Sequence, residues 1–284
     1  MTNIIKKLAT PLALFSGLIG LSMIIPKPVQ SAECASSGSL TGAQFDSTYS
    51  SEGMCYGTPD RYEITIYEMG LCTSAPITTT TSTNDTVDTD TNCTATTTTS
   101  WTGDLAGSAT FDMSGGTRPA AGVYTHAYIV LGNTFGLKGT YALTDGGSTT
   151  TTYYSNGDAS GSTNVDSTTG TATAVNFTET LTSFGGGSCA YYGSEDFTTG
   201  TNPGTMTAVI TNASKVVQTS CGSGVKRIVG QFEPDTAFTI SDSVTGMTVT
   251  FTVTNSGMSV IGSGSEAIDQ LGSGPFKARF TFIE

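Results

Sequence analysis

An acidic segment, TNDTVDTDTNC at residues 83–93, alternates carboxylate or amide side chains with threonine and ends on a cysteine. Oxygen side chains at this spacing are typical of calcium sites. An EF-hand loop is excluded, because that pattern needs a glycine where Cys93 stands and a glutamate where Thr99 stands. The segment therefore predicts at most a weak calcium site, whose candidate ligands are Asp88, Asp90 and Asn92.

The same segment also fits a purely structural role. Side chains alternate between the two faces of a strand, so the odd-numbered Val87 and Cys93 would share one face and the even-numbered Asp88 and Asp90 the other. A solvated outer strand, or a hairpin held by a disulfide from Cys93, explains this alternation without a ligand. The structural interpretation is the primary expectation, and the calcium site is its alternative.

Six cysteines follow the apolar N-terminal segment and predict disulfides, since an even number in an exported chain is typical of a disulfide framework. A thiolate metal site is excluded because the chain has no CxxC pair and a single histidine. Six cysteines allow fifteen pairings, and spacing alone does not choose among them. We expect pairing in chain order: Cys34–Cys55, Cys72–Cys93 and Cys189–Cys221.

Nucleophilic and metal-dependent catalysis lack their usual residues. The single histidine, His126, falls inside an apolar run, where a packed and hydrogen-bonded histidine is the usual outcome. The chain contains no G-x-S-x-G elbow, no P-loop and no G-x-G-x-x-G motif. Glu179 and the pair Glu195–Asp196 are the carboxylates suited to glycoside cleavage, but isolated acids on an acidic β-protein usually face solvent. We therefore predict no catalytic residue and no enzymatic activity.

Aromatic side chains in polar or glycine-rich surroundings are candidates for stacking on a glycan or a small ligand. Packing at a sheet edge explains them equally well, so they support a binding function only as an alternative. The candidates are Trp101, Tyr153, Tyr154, Tyr191 and Tyr192.

Alternation with a period of two runs through the chain and predicts strands in most of it. In residues 247–254, apolar side chains share one face and threonines the other, and NSG at 255–257 predicts a hairpin to residues 258–262. Residues 122–133 are apolar on both faces, which is typical of a central strand. The predicted fold class is all-β: an antiparallel β-sandwich with disulfides, as one large sandwich or two smaller ones.

The stretch RPAAGVYTHAYIVL, residues 118–131, resembles the strand entry of secreted immunoglobulin-like and transthyretin-like sandwiches. A glycine turn at Gly122 precedes Tyr124, and the resemblance implies that this tyrosine caps a corner of the sheet. The resemblance covers this stretch alone, so it supports a sandwich without naming a family.

Residues 33–284 make up the predicted extracellular β region. The segment 145–170 is nearly devoid of aliphatic side chains, so it is either a surface hairpin or a linker between two sandwiches, 33–144 and 171–284. No internal repeat is visible, which favours one domain with a protruding hairpin.

Residues 1–32 predict a secretory signal peptide, because Lys6 and Lys7 precede an apolar run that ends in prolines and small residues. An uncleaved anchor is the alternative, since a membrane-spanning helix needs about 20 apolar residues. We expect a secreted or cell-surface protein, and the form of the signal indicates a bacterial host.

The charge of the mature chain is strongly negative. The whole chain carries −12; the predicted leader holds three of the 11 basic residues and no acid, which leaves eight basic against 23 acidic residues, or −15. Such a surface repels phosphate backbones and anionic lipid. We therefore expect no nucleic-acid partner and no membrane contact beyond the signal segment.

The C-terminal stretch FKARFTFIE alternates aromatic and polar residues, so it predicts a last strand able to complete a neighbour's sheet. The candidates for such strand exchange are Phe276, Ala278, Phe280 and Phe282. With threonine-rich strands and disulfides, this pattern predicts a structural or adhesive cell-surface protein. It would be a filament or coat subunit that assembles by β-strand addition with itself or another surface protein.

Two alternative functions stay open. One is a secreted binding module for a glycan, a cation or a small ligand. The other is an outer-membrane β-barrel, whose alternating strands end in a terminal aromatic, a position that Glu284 occupies here.

Overall fold

The computed structural model of the chain is nearly all β, with 52% of residues in strands and 3% in a helix, which confirms the all-β prediction. The predicted leader falls outside the described residues except for Ala32. For residues 111, 112, 195 and 197 the structure describes the backbone but not the side chain. The structure describes residues 32–51, 53–78, 85–107, 109–112, 116–159, 163–184, 189–197, 203–262 and 264–284.

One helix and twenty-two strands make up the described part of the chain. They are α1 (Gly42–Thr48), β1 (Met54–Gly57), β2 (Arg61–Cys72), β3 (Ile77–Thr78), β4 (Thr86–Val87), β5 (Cys93–Thr97), β6 (Trp101–Asp104), β7 (Ala109–Asp112), β8 (Gly122–Tyr124), β9 (His126–Gly132), β10 (Thr134–Lys138), β11 (Thr140–Thr144), β12 (Thr150–Ser155), β13 (Val165–Thr168), β14 (Phe177–Thr180), β15 (Tyr192–Phe197), β16 (Gly204–Thr211), β17 (Arg227–Pro234), β18 (Phe238–Ile240), β19 (Gly246–Thr252), β20 (Met258–Gly262), β21 (Ile268–Ser273) and β22 (Lys277–Ile283).

The largest sheet has nine strands. Seven follow the order β14-β10-β2-β9-β17-β16-β15, and β5 and β6 also pair with β2. Its central strand β9 is buried at every residue, as the apolar run in the sequence predicts. The neighbouring strand β2 buries Tyr62, Ile64 and Ile66 and leaves the residues between them half-buried, which follows the period of a strand with one covered face.

Five smaller sheets complete the fold: β22-β19-β7, β11-β12-β13, β1-β20-β21, β18-β8 and β3-β4. The predicted hairpin between residues 247–254 and 258–262 is wrong, because β19 pairs with β22 and β7 while β20 pairs with β1 and β21. The reason is the turn between them. Gly257 donates its amide to the carbonyl of Val253 at 2.8 Å, and this tight turn directs β20 into another sheet.

Two apolar core clusters are present among the described residues, and the larger one takes residues from Phe45 to Leu271, from both halves of the chain. The antiparallel pairing of β9 with β17 joins the two halves of the chain within one sheet. Residues 145–170 contain β12 and β13, which pair with each other and extend the sheet that begins with β11. The two halves therefore share both a sheet and a core.

The corner before β9 is fixed by a tyrosine. Tyr124 is buried and donates its hydroxyl to the carbonyl of Ala120 at 2.9 Å. The resemblance at Gly122 implies that this tyrosine caps a corner of the sheet, and its hydroxyl bonds the backbone four residues upstream. It anchors the chain where it enters the nine-stranded sheet.

Three disulfides join the cysteines in chain order, as expected: Cys34–Cys55, Cys72–Cys93 and Cys189–Cys221. No cysteine is free. The second bridge links directly opposed residues of β2 and β5, and it sits beside His126 of β9. Disulfides persist in oxidising compartments, so the bridges indicate an extracytoplasmic protein.

Candidate functional site

The last strand, β22, lies at the edge of its sheet. It pairs antiparallel with β19 over its whole length, from Lys277 opposite Thr252 to Ile283 opposite Gly246. Within the described residues its other edge pairs with no strand, so a row of backbone amides and carbonyls faces outward. An unpaired edge of this kind is a template for a strand from another chain.

The four candidate exchange residues all pack towards the protein's own core. Phe276 contacts Phe251, with ring centroids 5.5 Å apart, and Phe280 stacks on Phe232 at 5.8 Å. Phe280 and Phe282 also contact the ring of Phe238, at 5.0 and 5.7 Å. Ala278 lies between them at the same interface. Phe232 belongs to the nine-stranded sheet, whereas Phe238 belongs to β18 and Phe251 to β19 of the same sheet as β22. Of these contacts, the stacking of Phe280 on Phe232 is therefore the one that ties β22 to the nine-stranded sheet.

A small apolar cavity of about 20 Å³ lies behind β22, between its sheet and the nine-stranded one. Aromatic and aliphatic side chains line it together with three methionines, Met69, Met206 and Met247, and two glycines, Gly70 and Gly230. Its volume is close to that of one water molecule. The cavity is therefore a packing gap between two sheets, and it does not have the size of a ligand site.

The solvent face of β22 is basic, although the protein as a whole is acidic. Alternation places Lys277, Arg279 and Thr281 on the face opposite the phenylalanines, and Arg279 and Thr281 are exposed. Neither basic side chain forms an ion pair with a residue that the structure describes. This edge thus combines open backbone groups with two unpaired positive charges.

The acidic segment forms a turn. The expected outer strand is wrong for residues 88–92, because the Asp88 carboxylate accepts the amides of Asp90 and Thr91 at 3.0 and 2.9 Å and reverses the chain between β4 and β5. The hydrogen bonds from Thr91, followed by that from Asp90, lower the pKa of Asp88. Asp88 therefore acts as a turn cap.

An ammonium group stands near the predicted calcium ligands. Lys215 Nζ lies 3.6 Å from Asp90 and 3.2 Å from Glu68, and it also donates to the hydroxyl of Thr89. Asn92 is exposed in the same turn. Among the described residues no group of three or more acidic, histidine or cysteine side chains is placed to hold a metal ion. Lys215 thus supplies the positive charge that the acids attract.

A polar cluster extends from this lysine into the sheet. Tyr128, buried in β9, donates its hydroxyl to Glu68 at 2.6 Å, and Glu68 pairs with Lys215. Burial first, and the Glu68 carboxylate second, raise the pKa of Tyr128, so its hydroxyl stays a donor. Lys215 reaches the cluster from a left-handed backbone conformation with φ of 62°. No sequence motif marks these contacts, because they join residues far apart in the chain.

Tyr128→Phe is expected to lower the free energy of unfolding by about 1.5–3 kcal/mol, since it removes a buried hydrogen bond to a charged acceptor. Urea unfolding followed by circular dichroism measures the change. The matched control is Tyr154→Phe, whose hydroxyl makes no hydrogen bond with a described residue and whose removal should change the free energy by less than about 0.5 kcal/mol. Equal effects of the two variants would contradict the cluster.

The single histidine is buried, as expected from its place in an apolar run. His126 Nδ1 lies 2.9 Å from the Thr125 hydroxyl, and its Nε2 lies 3.8 Å from a carboxylate oxygen of Glu233. Burial lowers the pKa of His126 below its ordinary value of 6.5, and the Glu233 charge opposes this only in part. A neutral, packed imidazole is the consequence.

His126 should make stability depend on pH. Because its pKa is lower in the folded state, the unfolded chain takes up the proton first as pH falls below about 6.5, and this proton stabilises the unfolded state. The stability that a neutral His126 provides is therefore present above about pH 6.5 and is lost on acidification. Urea unfolding between about pH 7 and pH 5 should show a smaller acid-dependent loss for His126→Gln than for the wild type. Parallel curves would contradict this.

The candidate stacking residues lie at three separate places. Trp101 sits in β6, its ring lying over Gly103, where a Cβ would come within 2.0 Å of the indole. Tyr153 and Tyr154 belong to β12, where Tyr153 packs against the core. Tyr191 and Tyr192 lie at the far edge of the nine-stranded sheet, where Tyr192 is 40% exposed. The structure thus brings together only neighbours in the chain, and the five do not line one surface.

The comparisons with known proteins found no match: no family model, no curated protein and no solved structure resembles the chain. Among the described residues, no helix has the length and apolar character needed to cross a membrane.

Proposed function

We propose that the protein is an exported structural or adhesive subunit of a cell-surface filament or coat, which assembles by β-strand addition. The observation that carries the proposal is the position of β22. This strand is seven residues long and leaves one whole edge open within the described residues. Main-chain hydrogen bonds across such an edge can join subunits.

Addition to the open edge is favoured over exchange of the strand. Exchange would require the half-buried rings of Phe276, Phe280 and Phe282 to leave their aromatic partners, which loses these ring contacts and the apolar surface that they bury. Addition leaves these contacts in place and satisfies backbone groups that already face solvent. We therefore propose that β22 stays in its own sheet and recruits a strand from a neighbour.

The three disulfides support the proposed location outside the cytoplasm, where a surface assembly is exposed to oxidants and mechanical load. The packing of β22-β19-β7 across the nine-stranded sheet supports a sandwich arrangement as part of this proposal. A sandwich would make the subunit a rigid block with its edges at the periphery.

A non-enzymatic role is also part of the proposal. His126 is buried against Glu233, and the Glu179 carboxylate accepts the backbone amide of Ser273. These groups therefore have structural partners. Self-assembly needs no reactive group, so the proposal requires no catalytic role for either residue.

Sedimentation velocity and negative-stain microscopy of the mature chain test the proposal directly. We expect oligomers or filaments whose size grows with protein concentration. A synthetic peptide with the sequence of residues 276–284 should shorten them by competing for the accepting strand, and a scrambled peptide of equal composition should not. Discrete monomers at every concentration would contradict the proposal.

A further inference from the structure

We propose that the open edge of β22 pairs with β15 of a second copy, with Lys277 and Arg279 facing Asp196 of that copy. This inference rests on the proposed function, which it deepens by naming the accepting strand.

Several edges of the protein are closed by its own groups. The edge of β21 is covered by Asn164, whose side chain accepts the amide of Leu271 at 3.0 Å and donates to its carbonyl at 2.8 Å. Glu179 accepts the amide of Ser273 on the same strand. The edge of β1 is covered by residues 32–34, which bond both backbone groups of Tyr56. Closing an edge in this way prevents unwanted pairing.

The strand β15 lacks such a cover in the described part of the chain. It ends the nine-stranded sheet and pairs only with β16 among the described residues. Besides β22, β15 and β21 are the only edge strands of six residues or more that the described residues form, and β21 is covered. This leaves β15 as the one long acceptor whose length matches β22.

The charges of the two edges are complementary. β15, with the sequence YGSEDF, contains two acids and no basic residue, and the Asp196 side chain is exposed and accepts the hydroxyl of Thr205 at 2.7 Å. On β22, Lys277 and Arg279 share the solvent face. In paired strands, side chains directly opposite or diagonal on one face lie within reach of each other. When Asp196 lies opposite one of these two basic side chains, the other is diagonal to it. A single register therefore brings the Asp196 carboxylate within reach of both Lys277 and Arg279.

Local attraction is needed because the copies repel one another overall. The expected mature chain carries −15, so two copies approach only where opposite charges meet. The two edges are different surfaces of the same protein, so the contact is head to tail and leaves one open edge of each kind at the ends. Such heterologous contacts build filaments when the rotation between copies does not close a ring.

Charge reversal tests this pairing. Asp196→Lys, and separately Lys277→Glu with Arg279→Glu, should each raise the concentration needed for half-maximal assembly by about tenfold or more. The three changes combined should restore assembly, and so should mixing the two reversed proteins, because every β22–β15 contact is then again of opposite charge. Lys138→Glu with Lys226→Glu is the matched control for net charge, and thermal unfolding checks that each variant is folded.

The outcomes separate this inference from the proposed function. Assembly of the wild type that is insensitive to both reversals, or that the combined variant does not restore, overturns the β22–β15 pairing and leaves strand addition in place. Loss of assembly in the control pair to the same degree would show a net-charge effect and would also overturn the pairing. A wild type that stays monomeric overturns both.

Discussion

Reduction of all three disulfides is expected to unfold the protein at room temperature. The bridges close loops with sequence separations of 21, 21 and 32 residues, and each should stabilise the fold by about 3 kcal/mol in the chain-entropy model. Their sum, about 10 kcal/mol, is comparable with the entire stability of a typical domain, about 5–15 kcal/mol. Far-ultraviolet circular dichroism during heating, with and without reductant, measures the loss.

Paired serine substitutions are the control for this result. Cys189→Ser with Cys221→Ser removes one bridge and should lower the free energy of unfolding by about 3 kcal/mol while the fold persists. A fully reduced protein that keeps its β spectrum and its melting temperature would contradict this expectation, because it would show that the core alone holds the sheets.

Phe251→Ala should strongly destabilise the fold. Phe251 is 1% exposed in β19, the middle strand of its sheet, and it contacts the ring of Phe276 at the interface with the nine-stranded sheet. Truncation of such a ring leaves a cavity and costs about 3–5 kcal/mol. For a chain of this size, we expect the melting temperature to fall by about 10 °C.

The matched control lies next to it on the same strand. Thr250 points to the opposite face and shares a 3.2 Å hydrogen bond with the exposed hydroxyl of Thr110, so Thr250→Ala should change stability by less than about 0.5 kcal/mol. Phe251→Ala should also weaken assembly, because it removes the ring that Phe276 contacts just before β22. A folded Phe251→Ala protein with unchanged melting would contradict the proposed packing of the two sheets.

Strand content follows from local chemistry and was therefore predictable from sequence. Alternation in residues 61–66 and 277–283 reports which side chains a strand buries, and the apolar run at 126–132 reports a strand covered on both faces. The partners of these strands are not encoded locally. The turn after Val253 shows this, because the sequence pattern favours a hairpin there, yet β19 and β20 on either side of the turn belong to different sheets.

The helix α1 was missed for a related reason. It is only seven residues long and is capped by Thr41, whose side chain accepts the amide of Gln44 while the Gln44 side chain accepts the amide of Thr41. This capping box is a recognisable sequence signal, but it stands alone, since the helix is too short to show a period of 3.6 residues.

The candidate site was predictable only in part. The alternating C-terminal strand is visible in the sequence, and so are Lys277 and Arg279. Its place at a sheet edge depends on long-range pairing with β19. The groups that close other edges act over even longer separations, as Asn164 does on Leu271, 107 residues away. No local pattern predicts which edges remain open.

Hydrogen–deuterium exchange at low and high protein concentration tests the central claim, strand addition at β22, most directly. The account predicts that the amides of residues 277–283 exchange more slowly as particles grow, while those of β19 (Gly246–Thr252) stay equally protected at both concentrations. Protection of the amides of residues 192–197 should rise together with that of residues 277–283. Particles that grow while exchange in residues 277–283 stays unchanged would show that the subunits meet elsewhere, and strand addition at this edge would be wrong.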